Sequence, residues 1–279
     1  MNLFISPSIH QLIELAFSED VINDDMTSLF TITEDKEIEA YIVAKNDVVF
    51  CGNPIVKAII DKVNPNIQTE YSAKDGQKLK KGEICLRLKG NARSILMIER
   101  TLLNFLQRMT GIATQANEYV ETLNNPEIRL VDTRKTLPGF RSLDKYAVRV
   151  GGAFNHRMGL SDGILIKDNH ISACGSIKQA VENVRKYAPH TMKIECEVTN
   201  MEELKEAIEA NVDIVMLDNM TIPQMEEAIA FINGKALIEV SGNVTKERLK
   251  DLSKLKVDII SSGALTHSVK AADLSMKFK

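Results

Sequence analysis

The chain has 279 residues, 44% of them apolar and 26% charged, and a formal net charge of −3. That length accommodates one large α/β barrel or two smaller domains, and the acidic balance excludes a global attraction to nucleic acid or an anionic membrane. No apolar run is long enough to span a bilayer, residues 1–14 lack the basic-then-apolar pattern of a signal peptide, and four widely separated cysteines, Cys51, Cys85, Cys174 and Cys196, read as free buried thiols in a reducing compartment.

In chain order, the first hundred or so residues carry no strand–helix repeat. Residues 38–45 alternate in character and 48–51 follow them as a second strand; 53–63 read as a helix; 69–72 and 84–89 read as strands, with turns at Lys74-Asp75-Gly76 and Lys81-Gly82-Glu83. A long helix pattern then runs from about 94 to 109, with Arg100, Asn104, Gln107 and Arg108 on a polar face that reads as solvated. This part is an α+β domain.

The remainder repeats one phrase. Apolar runs at 128–131, 163–166, 193–198, 213–217, 236–240 and 257–260 alternate with amphipathic stretches at 176–187, 201–210, 222–233 and 245–255, where Asn200 and Asn243 sit at N-cap positions. Strands alternating with helices predict a parallel sheet buried on both faces. A barrel is preferred to a doubly wound sheet because so many strands end in reactive residues, which a barrel gathers at one mouth. Six strands are legible, so the barrel is incomplete or borrows a strand.

Residues 134–167 hold seven cations, Arg134, Lys135, Arg141, Lys145, Arg149, Arg157 and Lys167, against Asp144 and Asp162. Lys145 and Arg149, four apart, read equally well as a solvated helix face. Arg134, Lys135 and Lys167 directly follow strands, and guanidinium and ammonium groups there suit a small polyanion. Glu195 and Glu197 share a face by the period of two, and Asp218 ends the next strand. Carboxylates at a barrel mouth must meet cations or a metal; a plain salt bridge to Lys167 or Lys193 competes more strongly for Glu195 than for Glu197. Oxygen-only donors favour Mg²⁺, and no histidine spacing indicates zinc. Ser241-Gly242-Asn243 and Ser262-Gly263-Ala264, at consecutive strand ends, form small-residue loops suited to a phosphate.

These residues and their order resemble the quinolinate phosphoribosyltransferase family. The run Asp132-Thr133-Arg134-Lys135-Thr136, then Pro138-Gly139, Lys145-Tyr146-Ala147-Val148, Gly151-Gly152, Asn155-His156-Arg157 and Lys167-Asp168-Asn169-His170 carry the likeness. So do Glu197-Val198, Leu217-Asp218-Asn219, Glu239-Val240-Ser241-Gly242-Asn243 and Ser262-Gly263-Ala264, with Glu99-Arg100-Thr101-Leu102-Leu103-Asn104 upstream. Glu19-Asp20 and Asp25-Met26-Thr27-Ser28 are similar to the family's N-terminal signature, which has Gly where this chain has Asp24.

The resemblance implies an α+β sandwich domain over residues 1–109, on which the C-terminal tail packs back, followed by an incomplete α/β (TIM-like) barrel over 110–279. It implies a cytoplasmic homodimer or higher oligomer of dimers that joins quinolinate to phosphoribosyl pyrophosphate with Mg²⁺, releasing pyrophosphate and CO2. Arg134, Lys135, His156, Arg157 and Lys167 would hold the quinolinate carboxylates, with Thr133 also among the substrate-binding residues. Glu197 and Asp218 would hold Mg²⁺ or the ribose hydroxyls, directly or through water. Ser241, Gly242, Asn243, Ser262, Gly263 and Ala264 would take the ribose phosphate. Lys135 would protonate the carbanion, and Arg100 would reach the neighbouring subunit's site. A nicotinate-using or molybdenum-transport-associated relative, or a barrel that only binds an anion, are the alternatives; four mouth cations favour a dicarboxylate, and Glu197 with Asp218 disfavours pure anion binding.

Overall fold

The computed structural model describes residues 3–279, so Met1 and Asn2, where the stretch read for a leader begins, lie outside the described residues. The elements run α1 (Pro7–Asp20), α2 (Met26–Thr31), β1 (Glu37–Ala44), β2 (Val48–Val49), α3 (Asn53–Val63), β3 (Gln68–Tyr71), β4 (Lys78–Leu79), β5 (Ile84–Asn91) and α4 (Ala92–Leu123). Then follow β6 (Arg129–Val131), α5 (Arg141–Val150), β7 (Ile164–Ile166), α6 (Asp168–Cys174), α7 (Ile177–Tyr187), β8 (Ile194–Val198), α8 (Met201–Glu209), β9 (Ile214–Asp218), α9 (Ile222–Ile232), β10 (Leu237–Ser241), α10 (Lys246–Leu252), β11 (Ile259–Ser261), α11 (Ala264–His267) and β12 (Leu274–Phe278). Two compact units result: one holds the chain up to Glu118 with 136–152 and 265–279, the other 119–135 and 153–264. Helix α4 runs unbroken through position 110, where the sequence reading divides the chain.

In the first unit an antiparallel sheet has the order β12-β1-β5-β3, with the C-terminal strand paired along β1. Helix α3 buries the stripe Ile55, Val56, Ile59 and Ile60, each side chain contributing about 1.5–3 kcal/mol relative to exposure. The helix begins there because Gly52 adopts φ 139° and Asp75 accepts the amides of Gly52 and Asn53, both at 3.0 Å. A Cβ on Gly52 would collide with Leu106. Residues 7–31, unassigned from the sequence, form two capped helices. Ser6 accepts from Ile9 N, and Asp25 accepts from Thr27 N and Ser28 N. The quoted Asp25-Met26-Thr27-Ser28 signature is therefore a helix start.

Two solvated-face expectations are corrected here. Arg108 makes a bidentate pair with Asp144, at 2.9 and 2.6 Å, and Asp144 is fully buried. Lys145, on α5, is only 1% exposed. The charges on these helices are internal because α5 carries buried positions from Leu143 through Val148.

In the second unit the six parallel strands have the order β6-β11-β10-β9-β8-β7. A single bridge between Val131 and Phe154 adds a short segment beyond β6. This segment lies five strand spacings from β8, roughly 24 Å across a flat sheet. Yet the ring of His156, two residues on, lies 3.3 Å from Glu195 on β8. The sheet must therefore curl, as expected for an open barrel. Helix α8 is capped by Asn200 as expected, whereas α10 is capped by Thr245, and Asn243 instead takes φ 47° in the loop before it. All four cysteines are free, and Cys174, against expectation, is exposed at the end of α6. Among the described residues no helix is long and apolar enough to cross a membrane.

Candidate active site

The second unit gathers its chemistry at the C-terminal ends of the strands. At the end of β6, Asp132 is fully buried and accepts from Asn155 Nδ2 at 2.6 Å and from the His156 amide at 3.0 Å. These bonds bring the loop 155–157 against the chain that continues into Arg134. Thr133 is spent on a turn, its hydroxyl oxygen accepting the Lys135 amide at 3.1 Å. Arg134 is half-buried and Lys135 exposed.

Arg157 donates through Nη1 to the Gly163 carbonyl at 2.8 Å. Burial, and then the adjacent Arg134 charge, pull the Arg157 pKa below the usual guanidinium value. A guanidinium that feels a like charge favours an anion beside it.

Lys167, directly after β7, reaches Glu197 Oε2 at 2.7 Å. The salt bridge expected to involve Glu195 is therefore made by Glu197. Glu195 turns to His156 instead. The imidazole Nε2 lies 3.3 Å from Glu195 Oε2 and 3.5 Å from Glu239 Oε2, and the two side chains are 7% and 1% exposed. Burial disfavours the charged ring, but the hydrogen bonds and charges of the two glutamates outweigh it and raise the His156 pKa to about 9. Burial raises the Glu195 pKa as well, and the nearby Glu239 adds to the effect. The sequence reading passed over Glu239 as a functional side chain. Its signal is period: Glu239 lies two residues before Ser241 on a strand whose remaining residues, Leu237, Ile238 and Val240, are apolar.

Asp218 ends β9 opposite Ser241 of β10 and accepts from Asn219 Nδ2 at 2.7 Å. Asn219, at φ 54°, fits because Gly242, at φ 88°, has no side chain; a Cβ there would overlap the Asn219 amide group. Arg248 braces this loop from behind, donating to the carbonyls of Gly242 at 2.6 Å and Met220 at 2.7 Å. The second phosphate loop is modified by the structure. The Ser262 amide donates to the Val131 carbonyl at 3.0 Å and its hydroxyl to the Val244 carbonyl at 3.1 Å. Both Ser262 donors thus hold the scaffold, and the assignment of Ser262 as a phosphate donor is not matched by its bonds; Gly263 and Ala264 follow it. Arg100 belongs to the first unit and is exposed on α4.

The opposite end of the strands holds a cleft of about 850 Å³ lined by Asn211, Asp213, Leu237, Lys256 and Asp258, among others. There Asp213 accepts the Ile194 amide at 2.7 Å and Asp258 the Ile238 amide at 2.8 Å. These acids satisfy backbone donors where β8 and β10 begin, a structural role.

Comparison with known proteins agrees with this geometry. Residues 25–110 match "Quinolinate phosphoribosyl transferase, N-terminal domain" and 112–277 match "Quinolinate phosphoribosyl transferase, C-terminal domain". The chain is 43% identical over 268 residues to the probable nicotinate-nucleotide pyrophosphorylase [carboxylating] of Bacillus subtilis (strain 168), covering 96% of this chain and 92% of that one. It is 42% identical over 285 residues to the chloroplastic nicotinate-nucleotide pyrophosphorylase [carboxylating] of Arabidopsis thaliana, covering 95% and 81%. The crystal structure of NadC from Streptococcus pyogenes superposes with a TM-score of 0.95 at 39% identity, covering 100% of this chain and 99% of that one.

Proposed function

The chain belongs to the quinolinate phosphoribosyltransferase family, and from that premise we propose how its mouth divides the work between two anionic substrates. The reaction transfers the phosphoribosyl group of phosphoribosyl pyrophosphate to quinolinate with decarboxylation, giving nicotinate mononucleotide, pyrophosphate and CO2 in NAD biosynthesis.

The observation that carries the proposal is the set of cations that follow the C-terminal ends of β6 and β7 and the loop between them, Arg134, Lys135, Arg157 and Lys167, with the Arg134 charge helping to lower the Arg157 pKa. A dicarboxylate offsets those charges, and guanidinium forks match carboxylates in bidentate fashion. Arg134 and Arg157 take the quinolinate carboxylates, with Lys135 and Lys167 completing the charge balance. Lys167 already holds a carboxylate, Glu197, and exchanges it for a substrate anion. That exchange releases Glu197 toward the ribose side of the site.

Glu197 and Asp218 offer oxygen donors at the ends of neighbouring strands, a donor set that suits Mg²⁺ together with pyrophosphate oxygens. Glu197 and Asp218 would hold Mg²⁺, which would supply charge neutralisation for the departing pyrophosphate. Ser241, Gly242 and Asn243 receive the ribose phosphate, with Gly263 and Ala264 lining the next loop. The side chains hold the pyridine nitrogen against the ribose carbon that pyrophosphate leaves, so positioning and charge stabilisation do most of the work. Once that nitrogen is bonded, its positive charge stabilises the carbanion left on the neighbouring ring carbon when CO2 departs. Lys135, exposed at the mouth, delivers the proton that the carbanion takes. The working form is a cytoplasmic homodimer, or a higher oligomer of dimers, in which Arg100 of each subunit enters the other's site.

Asp218→Asn tests the division of labour. Asn keeps the shape and loses the charge a hard cation needs. Calorimetric titration is expected to find phosphoribosyl pyrophosphate with Mg²⁺ weakened by roughly tenfold, about 1.4 kcal/mol, with quinolinate affinity little changed. Equal weakening of both ligands rejects the assignment.

A further inference from the structure

Gly242 and Asn243 are consecutive residues in the left-handed region, at φ 88° and 47°. Glycine accepts that conformation freely and asparagine better than most side chains, so the sequence permits the shape of this loop without fixing it. Arg248, the third residue of α10, supplies the fixing. Its backbone amide is pinned at the helix start by Thr245 Oγ1 at 3.3 Å. Its half-buried side chain runs back across the loop, with Nη1 donating to the Gly242 carbonyl at 2.6 Å and Nη2 to the Met220 carbonyl at 2.7 Å. Met220 lies two residues beyond Asp218, so one guanidinium joins the chain leaving β9 to the chain leaving β10. A backbone bond from the Asn219 amide to the Ser241 carbonyl, at 3.2 Å, runs beside it.

The fork has a directional consequence. In a trans peptide the carbonyl oxygen and the N–H of the next residue point to opposite sides. With the Gly242 carbonyl drawn back to Arg248, the backbone N–H of Asn243 faces away from it. Asn243 is exposed, and among the described residues no acceptor takes that N–H. A backbone donor held outward in a left-handed turn is suited to an anion.

We propose that Arg248 is a positioning residue for the phosphoribosyl substrate: its fork ties the loop after β9 to the loop after β10 and turns the Asn243 N–H outward to receive the 5′-phosphate. The proposal rests on the reading of residues 241–243 as the phosphate loop. Both terminal nitrogens of the guanidinium are engaged by backbone carbonyls, so Arg248 acts through the loop and not on the substrate. The fork matters as much as the charge. A lysine keeps the charge but offers one nitrogen where arginine offers two in a fixed plane.

The experiment measures steady-state kinetics, and inhibition by ribose 5-phosphate, for full-length Arg248→Ala, Arg248→Lys, Gly242→Ala and the unaltered enzyme, with melting temperatures. Arg248→Ala is expected to raise the phosphoribosyl pyrophosphate KM and the ribose 5-phosphate Ki together, by roughly 10–100-fold, with the quinolinate KM unmoved. The rise belongs in KM more than in kcat, because the phosphate is held in the ground state and the transition state alike. Arg248→Lys is expected to recover only part of the loss. Full recovery with lysine would mean that charge suffices, and would overturn the proposal. So would a lowered melting temperature with both KM values unmoved, which marks a purely structural residue, or a parallel rise in the quinolinate KM, which marks a general disturbance of the mouth. Gly242→Ala separates the proposal from its premise, since it distorts the loop directly. If it raises the ribose 5-phosphate Ki and the Arg248 variants do not, the phosphate loop stands and the role of Arg248 falls. If it leaves that Ki unmoved, the phosphate-loop reading falls and the proposal with it. Should Arg248→Ala fail to fold, Arg248→Lys decides: a partial rise in both constants supports the proposal, and unaltered values overturn it.

Discussion

Arg134→Ala and Lys167→Ala are each expected to lower kcat/KM for quinolinate by about 2–5 kcal/mol, roughly 30- to several-thousand-fold, while the melting temperature stays near that of the unaltered protein. The first figure is the usual cost of removing one partner from a desolvated charge pair. For Arg134 the stability expectation follows from its neighbour: the Arg157 charge opposes it, so truncation removes a repulsion. Lys167 pairs with Glu197, and the lysine side chain is 43% exposed. Solvent screening holds such a pair to about 1 kcal/mol or less. A large loss of melting temperature, with activity retained per folded molecule, would make these residues structural and remove the carboxylate clamp.

The second large effect is a recovery. Arg100 is exposed on α4 and Lys135 is exposed after β6. If each subunit of a two-fold dimer lends Arg100 to its neighbour, Arg100→Ala and Lys135→Ala homodimers are both nearly inactive. Each mixed dimer then contains one site with both residues intact. Random equal exchange makes about half the dimers mixed, so roughly a quarter of the unaltered activity returns. Activity measured after exchange, verified by native mass spectrometry, checks this. No recovery would put Arg100 in its own subunit's site or in none.

How much of this was legible beforehand differs between the two units. The six strand runs of the barrel and the reactive residues after them could be read directly, because parallel strands buried on both faces leave continuous apolar runs and their polar ends stand out. Asn53–Val63 was equally clear, since its apolar stripe recurs at helical spacing. Helices α1 and α2 were not seen: α2 has six residues, too few to establish a period, and its evidence is the capping Asp25. The buried pair Arg108–Asp144 is hidden from the sequence because the polar helix face that carries Arg108 does not reveal what meets it 36 residues on. The contacts of the His156 ring are hidden for the same reason. Sequence proximity to Arg157 was visible, but the glutamates that turn its ring inward come from β8 and β10, and only the curl of the sheet brings them there.

The most direct measurement is a substrate panel with phosphoribosyl pyrophosphate and Mg²⁺, reading pyrophosphate and CO2 together. With quinolinate the account predicts one CO2 for each pyrophosphate. With nicotinate, which lacks the second carboxylate and would leave part of the Arg134, Lys135, Arg157 and Lys167 cluster without an anion, it predicts turnover lower by at least roughly a hundredfold. Turnover of nicotinate as fast as quinolinate, or pyrophosphate release from quinolinate without CO2, would contradict it.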